Sequence, residues 1–450
     1  MSFISKIGGY FRNGAGLIKK AARNGAVEIV ISSLINKAIM FISNILIIRM
    51  LDTSEYGVFS YIYNIISIVL IFSSLGLDVT MLQFCCENRP LEERRGIANF
   101  ILPVGIAINL TFSIATFFIA FFAPIKFPEG RMIFMVFSFI FPFPFILNYQ
   151  KNILRVQKKN RIFSLLTNIA SISYLICSVI FIKFYGMLGA TVGRFLAYVI
   201  PIVFGFLFTM HVFNDIRKSS FPVKSIIISI FKYGLTIALT NGVSELLYYL
   251  DVYVIGQVTT DAIAIANYKS ATLIPRAMVS LPTIIVTFIY PYFAFNKDKH
   301  DWVLRNTIKL ELIVFPLCVI AAAVLFIIAP WLIEFLYGSE YIDSLIPFRI
   351  LLVSFVFSGS FRVLSGNILL MIGKMKANFV VGCIECVINV ILDYILIKHF
   401  NTVGAAVATL SVTVISSILT NGFLFIYLKK KINATRLVES DTTNEEDTVH

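Results

Sequence analysis

The chain cannot be an ordinary soluble protein, because 58% of its 450 residues are hydrophobic and only 14% are charged, against about 25% in soluble domains. Its formal net charge of +13 does not point to nucleic acid, because the Lys and Arg residues are spread between apolar runs rather than gathered in one basic block. These features predict a membrane protein that crosses the bilayer many times and has no soluble domain.

The amino-terminal segment, residues 1–24, is basic and carries scattered apolar residues. This pattern is typical of an amphipathic helix that lies on the membrane surface. A cleaved signal peptide is not favoured, because no small-residue cleavage site precedes the first apolar run. We therefore expect this segment to anchor the chain on the cytoplasmic face.

Twelve long apolar runs follow, each about the length that a helix needs to cross roughly 30 Å of hydrocarbon. We place them at 27–50, 56–77, 97–123, 132–154, 163–184, 188–211, 225–257, 262–295, 302–329, 346–372, 378–397 and 403–428. The remaining tail, 429–450, becomes polar and acidic and is predicted to be disordered. The sequence thus predicts an all-α integral membrane protein with twelve transmembrane helices.

The loops between these runs differ sharply in positive charge. One alternating set of loops holds sixteen Lys and Arg residues, and the other set holds five. Short cytoplasmic loops carry the positive excess in membrane proteins, and the bias here keeps its sign in every hairpin. The pattern predicts that both termini lie in the cytoplasm.

A short sequence pattern occurs twice, 215 residues apart. Ile182-Lys183, Gly189-Ala190 and Val192 reappear as Ile397-Lys398, Gly404-Ala405 and Val407. An even number of spans separates the copies, so the repeat predicts two six-helix bundles in the same orientation, 25–212 and 225–428, joined by a cytoplasmic linker at 213–224. Parallel halves of this kind enclose a site at the midplane in many transporters.

The cysteines do not predict a disulfide framework or a metal site. Most of the six lie inside apolar runs, where cysteine behaves as a small hydrophobic residue. Cys383 and Cys386 have the spacing of a metal-binding or redox pair, but the sequence contains no second pair. We expect no metal and no bound cofactor.

Two apolar runs carry charged residues at depths where charges are costly. Asn241, Glu245, Tyr248 and Asp251 fall on one face of the run 225–257, because helical neighbours recur every three or four residues. On the next run, Lys269 and Arg276 share a face, and Pro275, Pro282 and Pro291 loosen the backbone around them. An acidic stripe and a basic stripe on neighbouring helices predict a polar cavity.

Short segments in both halves carry a family resemblance. The segments are 36–37 (NK), 48–52 (IRMLD) and 55–57 (EYG) in the first hairpin, 250–256 (LDVYVIG) at the end of the seventh run, and 267–269 (NYK) in the eighth. Together with the number and spacing of the runs, they resemble the repeat-unit flippases of bacterial O-antigen and capsule synthesis. One departure is Ala262-Ile263, where such proteins often have a glycine like Gly57.

The resemblance implies the twelve-helix fold of the multidrug, oligosaccharidyl-lipid and polysaccharide exporter superfamily. It also implies outward movement of undecaprenyl-diphosphate-linked oligosaccharides across the bacterial plasma membrane, by a monomer that works beside a polysaccharide polymerase and a chain-length regulator. The cargo would be an O-antigen, capsule or exopolysaccharide unit. The family members are transporters rather than enzymes.

A lipid-linked diphosphate needs cations held away from bulk water. Our candidates for this role are Lys37, Arg194, Lys269, Arg276, Arg349 and Arg362, with Asn44, Asn241 and Tyr248 as polar lining. The simpler alternative for each basic residue is snorkelling to a lipid headgroup or pairing along its own helix. Glu245 and Asp251 are candidates for binding a coupling proton or sodium ion. Their alternative is a structural pair with Lys269 or Arg276.

Two other functions compete with flipping. A multidrug exporter of the same superfamily would receive cationic drugs in an apolar or acidic cavity, and the intramembrane Lys and Arg residues argue against it. A membrane-embedded glycosyl or polymer transferase would need a sizeable loop outside the membrane, and the longest outer connection, 331–344, is too short. No nucleotide-binding glycine loop is present, so this chain is not expected to hydrolyse ATP.

Overall fold

The computed structural model describes residues 26–447, and all of the regular elements within that range are helical. The first seven helices are α1 (Ala26–Met50), α2 (Thr53–Ser73), α3 (Leu77–Cys86), α4 (Leu91–Phe122), α5 (Arg131–Phe137), α6 (Pro142–Val156) and α7 (Asn160–Arg217). The remaining seven are α8 (Lys224–Val258), α9 (Ala262–Met278), α10 (Ser280–Phe295), α11 (His300–Tyr337), α12 (Leu345–Phe357), α13 (Val363–Met371) and α14 (Met375–Asp447). The predicted all-α membrane fold is confirmed.

Helices α7 and α14 each contain a sharp change of direction. Gly186 has φ 51° and ψ −130°, and Asn401 has φ 51° and ψ −132°. These two residues are 215 positions apart, which is the offset of the sequence repeat. Ten segments of the described chain are long and apolar enough to cross a membrane. Because the two longest of them reverse at Gly186 and Asn401, the ten segments account for the twelve predicted spans.

Glycine permits the close packing of both hairpins. A Cβ atom on Gly189 would lie 2.0 Å from the carbonyl oxygen of Phe181, and one on Gly404 would lie 2.2 Å from that of Leu396. No side chain fits at such distances, so the two arms of each hairpin approach at a glycine, as small residues permit in membrane helices. The repeat that is visible in the sequence is therefore a repeated structural unit.

The described helices fall into two compact units, which divide at Gly242 and Val243. In the first unit, α1 packs along the first arm of α7 through polar contacts. Ser32 donates to Asn168 at 2.8 Å, and Asn36 donates to Ser171 at 2.9 Å. Such hydrogen bonds stabilise contacts between membrane helices, because the hydrophobic effect does not drive helix association within lipid.

The second unit contains two interruptions that position its polar residues. Helix α9 ends at Met278 next to Pro275, and α10 begins at Ser280. Between α12 and α13 the chain forms one wide π-helical turn, Ser358–Arg362. Turns of this kind are common at functional sites, because the extra residue turns side chains away from the regular helical face. Arg362 is the last residue of this turn.

The predicted linker and the predicted tail differ in part from the structure. The units divide inside α8, later than the predicted linker at 213–224, although the chain between Arg217 and Lys224 is indeed non-helical. Helix α14 extends to Asp447, so most of the tail predicted to be disordered is helical. The predicted surface anchor at 1–24 lies outside the described residues. The cytoplasmic location of the termini stays a prediction.

Candidate functional site

The second unit contains a cavity of about 130 Å³ that is open on one side. Four of the candidate binding residues line it: Tyr248 and Asp251 on α8, Arg276 on α9, and Arg362 in the π turn. Part of the predicted polar face of α8 and one of the two predicted basic residues of α9 thus line one cavity. Arg276 lies in the last turn of α9, just before the break between α9 and α10.

Arg276 is held by an aromatic ring and by a long ion pair. Its guanidinium carbon lies 4.4 Å from the ring centre of Tyr248, a cation–π contact. Its Nη2 atom lies 3.7 Å from the carboxylate of Glu245, and both side chains are largely exposed. An exposed pair at this distance contributes little stability. The ion pair between Glu245 and Arg276, which was one of the two alternatives for Glu245, is present in the structure.

Arg362, in contrast, is tightly neutralised. Its Nε atom donates to the carboxylate of Glu385 at 3.1 Å, and its Nη2 atom donates to the second oxygen of the same group. Glu385 is almost completely buried, and Tyr248 also interacts with the guanidinium. A bidentate pair of this kind occupies two of the guanidinium's donors. Arg362 lines the cavity, but its charge is balanced from within α14.

Asp251 accepts hydrogen bonds from three residues on two other helices, α9 and α14. Its Oδ1 atom accepts from the Asn389 amide at 3.0 Å. Its Oδ2 atom accepts from the Thr409 hydroxyl at 2.7 Å and from the Tyr268 hydroxyl. The carboxylate is buried, and the three donors around it hold it in one orientation. Asp251 is therefore not a solvated residue at the outer end of its helix.

Asp393 provides a second carboxyl group at the same place. It is fully buried, it interacts electrostatically with Asp251, and neither of its oxygens accepts a hydrogen bond from an amide, hydroxyl or basic group among the described residues. Two ionised carboxylates side by side in a low-dielectric interior repel each other strongly and are costly to desolvate. The arrangement can be neutralised by a shared proton or by a small cation that uses the free oxygens of Asp393.

The remaining candidates of the second unit lie away from these contacts. Lys269 is half-buried, with its amine 5.9 Å from the ring centre of Tyr249, and it is not among the residues that line the cavity. Arg349 is half-buried, with its guanidinium 4.7 Å above the ring of Phe326.

Four candidates belong to the first unit, and one of them, Asn241, is exposed. Lys37 is exposed, and the Asn44 amide donates to the carbonyl of Met40 on its own helix at 2.8 Å. Arg194 is only 8% exposed, and its guanidinium lies between two aromatic rings, 4.4 Å from the centre of Tyr63 and 3.9 Å from that of Tyr174. This stacking stabilises a charge inside the bundle.

The repeat relates Arg194 to the acidic cluster of the second unit. At the offset of 215 residues, Arg194 corresponds to Thr409, Tyr174 to Asn389 and Ser178 to Asp393. The first unit therefore has a guanidinium and no carboxylate at the positions where the second unit has Asp393 and the partners of Asp251.

Several residues of the site were missed or assigned differently from the sequence. Glu385, Asn389 and Asp393 are spaced four apart, so they share one face of α14. That spacing is the available signal, and for Glu385 and Asp393 it leaves two interpretations open, a second polar patch or pairing along their own helix. For Tyr268, stacking on a sugar ring is one interpretation of the sequence, whereas in the structure its hydroxyl donates to Asp251.

The fold is that of a helical membrane protein that crosses the bilayer many times, and solved membrane transporters share it at low sequence identity. A multidrug resistance transporter of the MATE family and MOP superfamily, in an inward-facing conformation, aligns with a TM-score of 0.72 at 14% identity, covering 90% of this chain and 99% of that one. The lipid II flippase MurJ, in an inward closed conformation, aligns with a TM-score of 0.69 at 15% identity, covering 88% of this chain and 86% of that one.

The chain belongs to the polysaccharide biosynthesis protein family, whose model matches residues 22–297. A relative from Shigella flexneri, named "Putative O-antigen transporter", is 24% identical over 233 residues, which cover 51% of this chain and 54% of the relative. The family resemblance seen in the sequence is thus confirmed, as is the multi-pass membrane location. The family and its structural neighbours are transporters rather than enzymes, so the transferase alternative is not supported.

Proposed function

We propose that this protein moves oligosaccharides linked to undecaprenyl diphosphate from the inner to the outer leaflet of the bacterial plasma membrane. The units would be those of an O-antigen, a capsule or an exopolysaccharide, and the movement would be ion-coupled alternating access. Membership of the polysaccharide biosynthesis family supports this, as does the relative named for O-antigen transport.

The observation that carries the proposal is the position of Arg276. It lies at a cavity lined by polar and aromatic groups, and its ion pair with Glu245 is long. A guanidinium fork matches the geometry of phosphate oxygens and binds them in a bidentate manner. An arriving diphosphate can therefore displace the carboxylate of Glu245 at little cost. Arg362 is already bound to Glu385, so its role is structural. The pair keeps the cavity wall in shape and electrically neutral.

We assign ion coupling to the pair Asp251 and Asp393 rather than to Glu245. Both carboxyl groups are buried side by side, whereas the Glu245 side chain is 53% exposed. A proton or sodium ion between the two carboxyls neutralises them, and its departure leaves two repelling charges inside the bundle. The state of this site therefore biases the packing of α8, α9 and α14, which provide its residues. Asn389 and Thr409 fix the orientation of Asp251.

A multidrug exporter of the same superfamily is the competing assignment, and the shared fold does not decide between the two. The guanidinium of Arg276 at the cavity disfavours a cationic drug. The deciding experiment uses purified protein in proteoliposomes and compares flipping of a fluorescent polyprenyl-diphosphate oligosaccharide with uptake of a monocationic dye. We expect flipping of the glycolipid and no uptake of the dye. Uptake of the dye without flipping would assign the protein to drug export.

A further inference from the structure

A buried glutamate in the second unit takes no part in the proposed transport site. Glu311 on α11 is 8% exposed. The hydroxyl oxygen of Ser365 on α13, fully buried, lies 3.0 Å from the Oε1 atom of Glu311 and 2.5 Å from the Oδ1 atom of Asn421 on α14. Three side-chain oxygens from three helices therefore meet at Ser365.

These contacts need more hydrogens than the hydroxyl can provide. A serine hydroxyl has one hydrogen, whereas a carboxylate and an amide oxygen only accept. Ser365 can donate to Glu311 or to Asn421, but not to both. The second contact requires either a proton on Glu311 or an amide turned so that its nitrogen faces Ser365.

The spacing of the oxygens favours a proton over a metal ion. Distances of 2.5 and 3.0 Å are those of O–H···O hydrogen bonds. Two oxygens that bind one metal ion at about 2.4 Å and at a right angle stand about 3.4 Å apart. The Ser365 and Asn421 oxygens, 2.5 Å apart, are too close to bind one ion together.

No cation neutralises Glu311 within the described part of the chain. Several charged and titratable groups on α11 and on the elements packed against it have partners other than Glu311. These are Arg305 with Asp301, Cys318 with Ser360, Arg349 with Phe326, Arg362 with Glu385, Lys374 with Tyr427, and Asp393 with Asp251; Lys309 also has a partner. An ionised Glu311 would therefore be a buried anion without a neutralising cation, which is costly.

We propose that Glu311 is a proton-binding site, separate from the pair Asp251 and Asp393, and that it carries its proton in this conformation. The protonated carboxyl donates to the Ser365 hydroxyl, which donates to the Asn421 amide oxygen. This chain ties α11, α13 and α14 together. Loss of the proton turns the first donor into an acceptor, so the three helices keep their polar link only if the Asn421 amide turns and donates to Ser365. The proposal does not depend on the nature of the transported cargo.

Infrared difference spectroscopy tests the proposal directly, because a protonated carboxyl group has a C=O stretching band that a carboxylate and an amide lack. The wild type is compared at neutral pH with Glu311→Gln, and with Glu129→Gln as a control at an exposed glutamate. We expect the Glu311→Gln difference spectrum to lose one protonated-carboxyl band, and the control to lose none. Equal band intensity in Glu311→Gln and wild type would show that Glu311 is ionised and that the Asn421 amide is turned.

A second variant tests the same site and keeps the Glu311 carboxyl group. Ser365→Ala removes the acceptor of the Glu311 proton, and a carboxyl group that loses this bond shows a shifted C=O band. We expect a shift rather than a loss. A spectrum of Ser365→Ala without any change in this band would overturn the hydrogen-bonded chain, even if Glu311→Gln did not fold.

Discussion

Arg194 and Thr409 occupy equivalent positions in two copies of one helical hairpin, 215 residues apart, each eight residues after the reversal at Gly186 or Asn401. Thr409 donates to Asp251 in a cluster with two carboxyl groups. Arg194 instead places a permanent cation between Tyr63 and Tyr174. The first unit thus has the Arg194 guanidinium at the position where the second unit has Thr409, which binds the acidic pair. We therefore expect ion coupling from the second unit alone.

The first prediction concerns this asymmetry. Asp393→Asn should abolish the sodium or proton dependence of flipping, because it removes one of the two carboxyl groups that need a cation. Glycolipid flipping in proteoliposomes, with and without an imposed ion gradient, measures the effect. Ser178→Ala changes the equivalent residue of the first unit and should leave the ion dependence intact. Full ion dependence in Asp393→Asn would remove the coupling role of this pair.

The second prediction concerns Arg276. Arg276→Ala should leave membrane insertion intact and should weaken glycolipid binding by roughly 10- to 100-fold, because a charge-assisted hydrogen bond contributes about 1.5–3 kcal/mol. Arg276→Lys should be intermediate, since an ammonium keeps the charge but loses the fork. Binding of a polyprenyl-diphosphate glycolipid to purified protein gives the affinity.

Lys269→Ala is the matched control on the same helix. Lys269 does not line the cavity, so we expect a smaller loss than in Arg276→Ala. Wild-type affinity in the double variant Lys269→Ala/Arg276→Ala would rule out diphosphate binding by this stripe.

The third prediction separates Arg362 from Arg276. Breaking a buried bidentate pair leaves an uncompensated charge, so Glu385→Leu should cost about 3–5 kcal/mol of stability. The double variant Arg362→Leu/Glu385→Leu should recover most of that loss, because no lone charge remains. Thermal unfolding in detergent measures the three free energies of a double-mutant cycle. Additive losses in the double variant would mean that the two side chains are not coupled.

The fourth prediction concerns the hairpin glycines. Gly404→Ala should reduce stability by about 3 kcal/mol, because its Cβ would lie 2.2 Å from a carbonyl oxygen and the helices must move apart. Gly422→Ala lies on the same helix and meets nothing within 4 Å, so it should be neutral or stabilising. Size-exclusion profiles and melting temperatures of the two variants provide the comparison. Equal melting temperatures would contradict the close approach at Gly404.

The fold was largely predictable, and the site only in part. Asp251 and Arg276 were identified because charges inside apolar runs are conspicuous, and both line the cavity. The partners of Asp251 were not identified, because Asn389 and Thr409 are 138 and 158 residues away along the chain. Helix α14 contains many polar residues, and nothing in the sequence indicates which of them contact Asp251.

The sequence by itself determined the helical spans, the charge bias of the loops and the repeated hairpin, because length, apolar period and glycine position are local properties that the bilayer selects. Only the tertiary structure decided which charges remain available. Arg362 is neutralised by Glu385, Arg276 is held loosely, and Asp393 faces Asp251. Electrostatic energy depends on distance in space and on burial, and neither quantity is contained in the spacing of residues along a chain.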